Sequence, residues 1–199
     1  MVQRNVERIR SMVLDILYYA KDREPQWASV SAPDLIKDIA EMMEKKAKDL
    51  GVEFLTEVDE GVGEFEADPK AIRSMLVNIL ENSFDACRTD LEKEDHWVRF
   101  SVSQDEENMI FKIRDNGTGI DRETREKVFS LFFSSKGIEG TGLGLFISNK
   151  IAASHGGTIE VDSTPKVGTM FVVKIPKRRA VETEIMQASE AERQGVVHD

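Results

Sequence analysis

Cysteine is nearly missing from this chain. One residue of its type in 199, Cys87, excludes an internal disulfide and any metal site built from a cysteine cluster. A lone thiol is also consistent with a reducing, cytoplasmic setting. Long apolar runs are absent too. The greasiest pieces, such as LFF at 131–133, fall far short of the roughly 18 residues a membrane span needs. No basic start followed by an apolar stretch opens the chain, so neither a signal peptide nor membrane contact is expected. Basic charge is in deficit, with 27 Lys and Arg against 37 Asp and Glu, a net charge of −10. Such a surface repels phosphate backbones and argues against nucleic acid as a partner. Any phosphate bound here must be held by a local device. There is no internal repeat.

What is present, 40% hydrophobic and 32% charged residues, suits a folded domain of ordinary size with an appendage. Val6, Ile9, Val13, Ile16, Leu17 and Ala20 recur at helical steps over 3–22 with the spacing of a coiled-coil seam, and Glu24-Pro25 stops that helix. Residues 26–31 are partly β-like. Ser31 and Pro33 begin a helix that runs to Leu50, and Gly51 caps it. VEFLTEV at 52–58 reads as a strand. Asp68-Pro69 opens a helix reaching about Cys87, with Ile72, Leu76, Ile79 and Ser83 on one face. Strands are expected at Trp97–Ser103 and Met109–Arg114, then a helical stretch over 122–132. A helix ending near Ser154 follows, then a His155-Gly156-Gly157 turn. TIEVDS and TMFVVKIP close the set, and residues 178–199 form a polar tail. This order lacks strict βαβ alternation. It predicts an α+β fold, a two-layer α/β sandwich with a mixed sheet packed on helices and one long helix in front.

Three stretches carry candidate chemistry. Asn78, Asn82 and Asp85 share one face of the 69–87 helix, flanking its apolar stripe. A side-chain amide oxygen there suits Mg²⁺, although a solvated helix flank reads the same way. Asp115-Asn116-Gly117-Thr118-Gly119-Ile120 follows a strand directly. An ionised Asp at a strand end can accept from an exocyclic amine such as that of adenine, and the glycines allow a tight turn and close ligand approach. An ordinary Asn-Gly turn is the alternative. Gly140-Thr141-Gly142-Leu143-Gly144-Leu145 opens a helix, where bare N–H groups and the helix dipole can hold phosphate without lysines. Its spacing is neither that of a dinucleotide-binding fingerprint nor of a P-loop. Lys136, just upstream, is placed to reach a terminal phosphate or else is a solvated loop lysine. Three Phe in Val128–Phe133 suit core or a hinge, and 133–141 is small-residue-rich, as a lid over a nucleotide would be. The order of these signals makes a chance match improbable.

Taken together, residues 30–176 resemble the catalytic ATP-binding domain of two-component sensor histidine kinases, in the superfamily shared with gyrase, Hsp90 and MutL. NILENSFDA resembles the asparagine box, DNGTGI the first glycine box, VFSLFFSSK the phenylalanine box and GTGLGLFISNKIAASHGGTIEV the second glycine box. The spacing is similar to that of nitrogen-regulation-type kinases. VERIRSMVLDILYYAKDREPQW looks like the second helix of the dimerisation and phosphoacceptor hairpin. The resemblance implies a Bergerat-type fold and three parts: hairpin helix 1–24, catalytic domain 25–177, tail or linker 178–199. It implies ATP and Mg²⁺ as cofactors. Asn82 would be the metal ligand, and Asn78, Asn82 and Lys136 would be the catalytic residues. Asp115 would bind the adenine amine, Gly117 and Gly119 would shape its pocket, and Thr169 would support it through water. Gly142 and Gly144 would present amides to the phosphates. Asp85, Ile120, Thr141, Leu143 and Leu145 complete the implied nucleotide contacts.

The implied reaction is transfer of the ATP γ-phosphoryl to a histidine, then relay to a response regulator, within a homodimer. Two departures stand out. Asp85 occupies a place where many relatives carry Lys or Arg, a role Lys136 would then take. The phosphoacceptor is missing: His96 lies in a loop, His155 in a turn and His198 in the tail. It would sit on a hairpin helix preceding this sequence. ATPase branches of the superfamily place a Glu where this chain has Asn78, which favours kinase over ATPase. Glu81 is expected at the surface.

Overall fold

The computed structural model describes residues 24–133 and 141–179. The expected helix over 3–22, Lys136, and the tail from 180 with His198 lie outside the described residues.

Each element has a local cause. β1 (Ala28–Ser31) leads into α1 (Ala32–Leu50), where the Ser31 hydroxyl accepts the Asp34 N–H and Gly51, at φ 67°, closes the far end. β2 (Val52–Val58) follows, then β3 (Glu64–Ala67). α2 (Pro69–Thr89) starts as its sequence requires: Asp68 accepts the Lys70 and Ala71 N–H groups, and Pro69 takes the first turn, where its missing N–H costs nothing. β4 (His96–Gln104) and β5 (Asn108–Asp115) form a hairpin. The short α3 (Arg122–Lys127) is capped by Asp121, and α4 (Gly144–Ser154), β6 (Thr158–Thr164) and β7 (Gly168–Pro176) complete the set.

The main sheet is mixed, with order β2-β4-β5-β7-β6. Only β2–β4 is parallel. Alternate residues in the middle of β4 and along β5, among them Val98, Phe100, Val102, Phe111 and Ile113, are fully buried under the helices. These meet Ile39 of α1, Ile72, Leu76 and Ile79 of α2, and Ile147 and Ile151 of α4 in one core. The other face of the sheet carries no helix among the described residues. This is the two-layer mixed α+β arrangement expected.

Two details differ from the sequence reading. β3 was not expected, because four residues in a polar surround carry too little pattern; pairing with β1 across Val30↔Phe65 makes it a strand. The helix expected over 122–132 stops at Lys127. Phe132 has φ 61°, a backbone state a right-handed helix cannot contain, so 128–133 turns instead.

Candidate functional site

α2, the loop after β5, α3, the start of α4 and the start of β7 enclose a cleft of about 690 Å³. Its walls gather most of the residues singled out from sequence: Asn78, Asn82 and Asp85 from α2, Asp115, Gly119 and Ile120 from the β5 loop, Thr141, Gly142, Gly144 and Leu145 from the α4 approach, and Thr169 from β7. Asn78, Asn82 and Asp85 arrive together because they sit one turn apart on the helix rim. The Asn82 amide nitrogen donates to the Asn78 carbonyl at 2.9 Å. That commits the nitrogen to the helix and makes Oδ1 the atom suited to a hard cation.

Asp115 lies at the end of β5, only 2% exposed. Its Oδ1 accepts N–H groups from Gly117 at 3.0 Å and Thr169 at 3.2 Å. Its Oδ2 is buried with no hydrogen-bond partner, and so is the hydroxyl of Ser83 on α2. The Ser83 hydroxyl stands near enough to lower the carboxyl pKa as a donor would, although the two atoms fall short of strict hydrogen-bonding geometry. Burial raises the Asp115 pKa to about 6, against the lowering effect of Ser83, the two amides and Lys93. A buried acceptor left unmatched is costly in a folded chain unless a ligand supplies the donor.

At the other end of the cleft α4 begins without a side-chain cap: Leu143 is its N-cap residue and makes no capping hydrogen bond. No acidic side chain sits in the first turn. The opening amides, with the positive end of the dipole behind them, therefore face the cleft at Gly144 and Leu145. Gly142 makes this approach feasible. It has φ 65°, and a Cβ there would lie 2.4 Å from the Phe132 carbonyl carbon.

Two of the sequence candidates, Leu143 and Gly117, do other work. Leu143 is 1% exposed and its side chain belongs to the core, while its N–H donates to the Thr141 hydroxyl at 3.3 Å. Gly117 is not in the cleft wall. Its lack of a side chain serves helix contact, since a Cβ would fall 2.5 Å from the Ala86 carbonyl carbon of α2. Lys136 lies outside the described residues. Conversely, Glu81 and Arg88 line the cleft without having been singled out for binding. Glu81 pairs with Lys46 of α1 at 2.9 Å, and Arg88 lies 3.6 Å from Asp85. Ser83 was read as part of the apolar face, and only the approach of β5 makes it polar floor. Lys93, set in the charged run DLEKED, gave no signal distinct from a solvated loop.

The wider comparisons agree with this geometry. A model of the histidine kinase-, DNA gyrase B- and HSP90-like ATPases matches residues 67–179. The signal transduction histidine-protein kinase AtoS of Escherichia coli (strain K12) is 30% identical over 175 residues, covering 88% of this chain and 28% of that protein. The catalytic domain of histidine kinase ThkA superposes with a TM-score of 0.67 at 28% identity, over 77% of this chain and 99% of that one. ThkA in complex with the response regulator protein TrrA gives 0.73 at 26% identity, over 88% and 49%. Full-length ShkA in complex with AMPPNP gives 0.77 at 25% identity, over 89% and 37%. The chain thus spans a little over a quarter of the length of AtoS.

Proposed function

The chain belongs to the histidine kinase-, DNA gyrase B- and HSP90-like ATPase family, and from that premise we propose that residues 25–177 are the ATP-binding catalytic domain of a sensor histidine kinase. Residues 1–24 would be the second helix of its dimerisation hairpin and 178–199 a tail or linker. The whole protein would act as a homodimer, with this domain in the cytoplasm. The observation that carries the reading is the buried, unmatched Oδ2 of Asp115 at the floor of a cleft whose far end is an uncapped helix start. An adenine amine would donate to that oxygen, with the Ser83 hydroxyl and Thr169 beside it. The α4 amides would take the phosphates.

The donor set fits a magnesium nucleotide. Among the described residues no cluster of His, Cys, Asp or Glu could hold a metal by itself. The Asn82 oxygen is the kind of single neutral ligand that leaves most of the coordination shell to phosphates and water. When bound, Mg²⁺ would neutralise charge on the phosphates. The remaining work is positioning. Asn78 stands beside Asn82, where a carboxylate could otherwise take a proton from water. A carboxamide cannot, and Glu81, the carboxylate nearby in the cleft wall, is held by Lys46 at 2.9 Å, which favours passing the γ-phosphoryl to a nitrogen nucleophile over hydrolysis. A histidine nitrogen, carried on a hairpin helix preceding these residues, would form the new P–N bond. ADP would leave with the electrons of the broken P–O bond, and a response regulator would receive the phosphoryl next. AtoS and ThkA, both named as histidine kinases, support this class, and the ThkA–TrrA complex and the AMPPNP complex of ShkA support regulator and nucleotide as partners.

The test has two stages. Titration of the chain with ATP and GTP, with and without Mg²⁺, should show Mg²⁺-strengthened binding that prefers ATP. Labelled ATP should then mark a separately supplied hairpin helix bearing a histidine. Tight ATP binding with no transfer to any such helix would reduce the reading to a nucleotide-binding module.

A further inference from the structure

Lys93 lies between α2 and β4, outside every motif described above. Its ammonium has three donors, and all three are committed: to the Asp90 carboxylate at 2.9 Å, the Asn116 carbonyl at 2.5 Å and the Gly117 carbonyl at 3.1 Å. Several surface lysines pair with surface carboxylates, as Lys174 does with Glu160 and Lys166 with Glu92, contacts of little energetic weight, and Lys177 reaches the single carbonyl of Asp105. Lys93 differs in its acceptors. Two are backbone carbonyls of the turn that follows Asp115, and the third belongs to a nearly buried aspartate.

The surroundings form one polar cage. Asn116 donates to the Asp95 carbonyl at 2.8 Å and accepts the Trp97 N–H at 2.8 Å. Asp90 accepts the Glu92 N–H at 3.0 Å, and its carbonyl contacts His96 Nε2 at 3.1 Å. Asp90 is also the C-terminal cap of α2. A carboxylate there faces the negative end of the helix dipole, an unfavourable place without a cation. Lys93 supplies that cation and holds the Asp90 carboxyl below its ordinary pKa. The same ammonium thus ties the end of the helix bearing Asn78 and Asn82 to the turn bearing the Gly117 N–H, which itself grips Asp115.

We propose that Lys93 is the positioning residue of the base pocket: it clamps the Asn116–Gly117 turn to the end of α2 and so fixes the Asp115 carboxylate in the orientation that selects an amine-bearing purine over a carbonyl-bearing one. The base-selecting part rests on the nucleotide reading above; the clamp itself does not. A purine with a carbonyl at the amine position would set oxygen against oxygen, and only a loosened turn could swing the carboxylate away.

The experiment therefore has a nucleotide-free arm and a nucleotide arm, on the full chain. Lys93→Met removes the charge at similar length, and Lys93→Arg restores it. In the first arm, hydrogen exchange at the Gly117 and Thr118 amides should quicken by about tenfold in Lys93→Met and return toward wild type in Lys93→Arg, that being the scale of one charge-assisted bond. Amides toward the turn of the β4–β5 hairpin, such as Met109, should not change. In the second arm, the ratio of ATP to GTP affinity should fall by about tenfold in Lys93→Met, while affinity for magnesium tripolyphosphate stays as in wild type. Should Lys93→Met fail to fold, Lys93→Gln, which retains donors without charge, is read in the same two arms. Unchanged exchange at Gly117 and an unchanged ATP-to-GTP ratio in a folded variant overturn the proposal. So does equal quickening of all amides, which would mark a merely structural lysine. A wild-type chain that binds no nucleotide would sink the functional reading instead, with the exchange arm still deciding the clamp.

Discussion

The Nε2 atom of His155 accepts the backbone N–H of Asp68 at 3.0 Å, across 87 positions of sequence. His155 ends α4, whose start faces the cleft, and Asp68 caps α2, which carries Asn78 and Asn82. The imidazole is 4% exposed, its Nδ1 lies 2.8 Å from the Ile151 carbonyl, and the Trp27 ring sits against it at 5.1 Å. These partners require a neutral ring with its proton on Nδ1. The two helices that frame the cleft are thereby registered to each other at the end away from it.

Replacing His155 by Leu leaves the buried Asp68 N–H without an acceptor and should cost about 1–3 kcal/mol. Thermal or urea unfolding measures it. Burial lowers the His155 pKa below 6.5, against the raising effects of the Ile151 carbonyl and Asp68. The unfolded state therefore binds the proton more readily. The stability His155 contributes is complete above pH 6.5 and is lost as pH falls through the lower folded-state value. Melts of wild type from pH 7.5 to 5 should show this loss, and His155→Leu should flatten it.

Asp115 has the opposite sign. Its folded-state pKa of about 6 lies above the ordinary 3.8. Its contribution to stability is greatest below 3.8 and is lost as pH rises to about 6, a difference of ~3 kcal/mol. Asp115→Asn should therefore stabilise the nucleotide-free chain at pH 7.5 while removing most ATP affinity. In wild type, ATP affinity should fall as pH drops through about 6, where the carboxyl gains a proton, loses its charge and becomes a weaker acceptor. Calorimetric titration across pH 5.5–8 checks both. A destabilised Asp115→Asn chain would contradict the account of the buried charge.

Asn82→Ala should weaken ATP binding only in the presence of Mg²⁺, by about tenfold, since its oxygen is assigned to the cation and not to the base. Binding of adenosine, which carries no phosphate, should be unaffected. A uniform loss for both ligands, with or without metal, would place Asn82 in the base pocket instead.

Gly142→Ala puts a Cβ 2.4 Å from the Phe132 carbonyl carbon in a backbone state alanine disfavours. The start of α4 must shift, at a cost of at least ~1 kcal/mol. ATP affinity should fall well beyond adenosine affinity, because the displaced amides are those set to meet phosphate. Competition between the two ligands gives the ratio directly.

Much of the architecture was legible because its causes are short-range. A Ser31 or Asp68 cap, a proline in a first turn, a glycine after Leu50 and alternation along 97–103 each act within a few residues of themselves. The order of Asn78, Asn82, Asp115 and the Gly140–Leu145 run likewise marked the elements that meet at the cleft. Where the chain departed from that reading, a distant partner intervened. β3 exists because β1 pairs with it. The helix after Arg122 ends early because 128–133 turns back beneath the α4 approach, with Phe132 against Gly142. Leu143, set in a glycine-rich run, turns its side chain to the core.

The character of the cleft floor is wholly a product of tertiary structure. The alternation of Met109, Phe111 and Ile113 places Asp115 on the inner face of β5, but nothing adjacent to it says that its Oδ2 is left unmatched, that Ser83 lies beside it, or that Lys93 grips the turn behind it. Residue type and spacing suffice for helices, strands and turns, whose hydrogen bonds close locally. Desolvation, an unmatched acceptor and a three-armed ammonium exist only once segments tens of residues apart exclude water together.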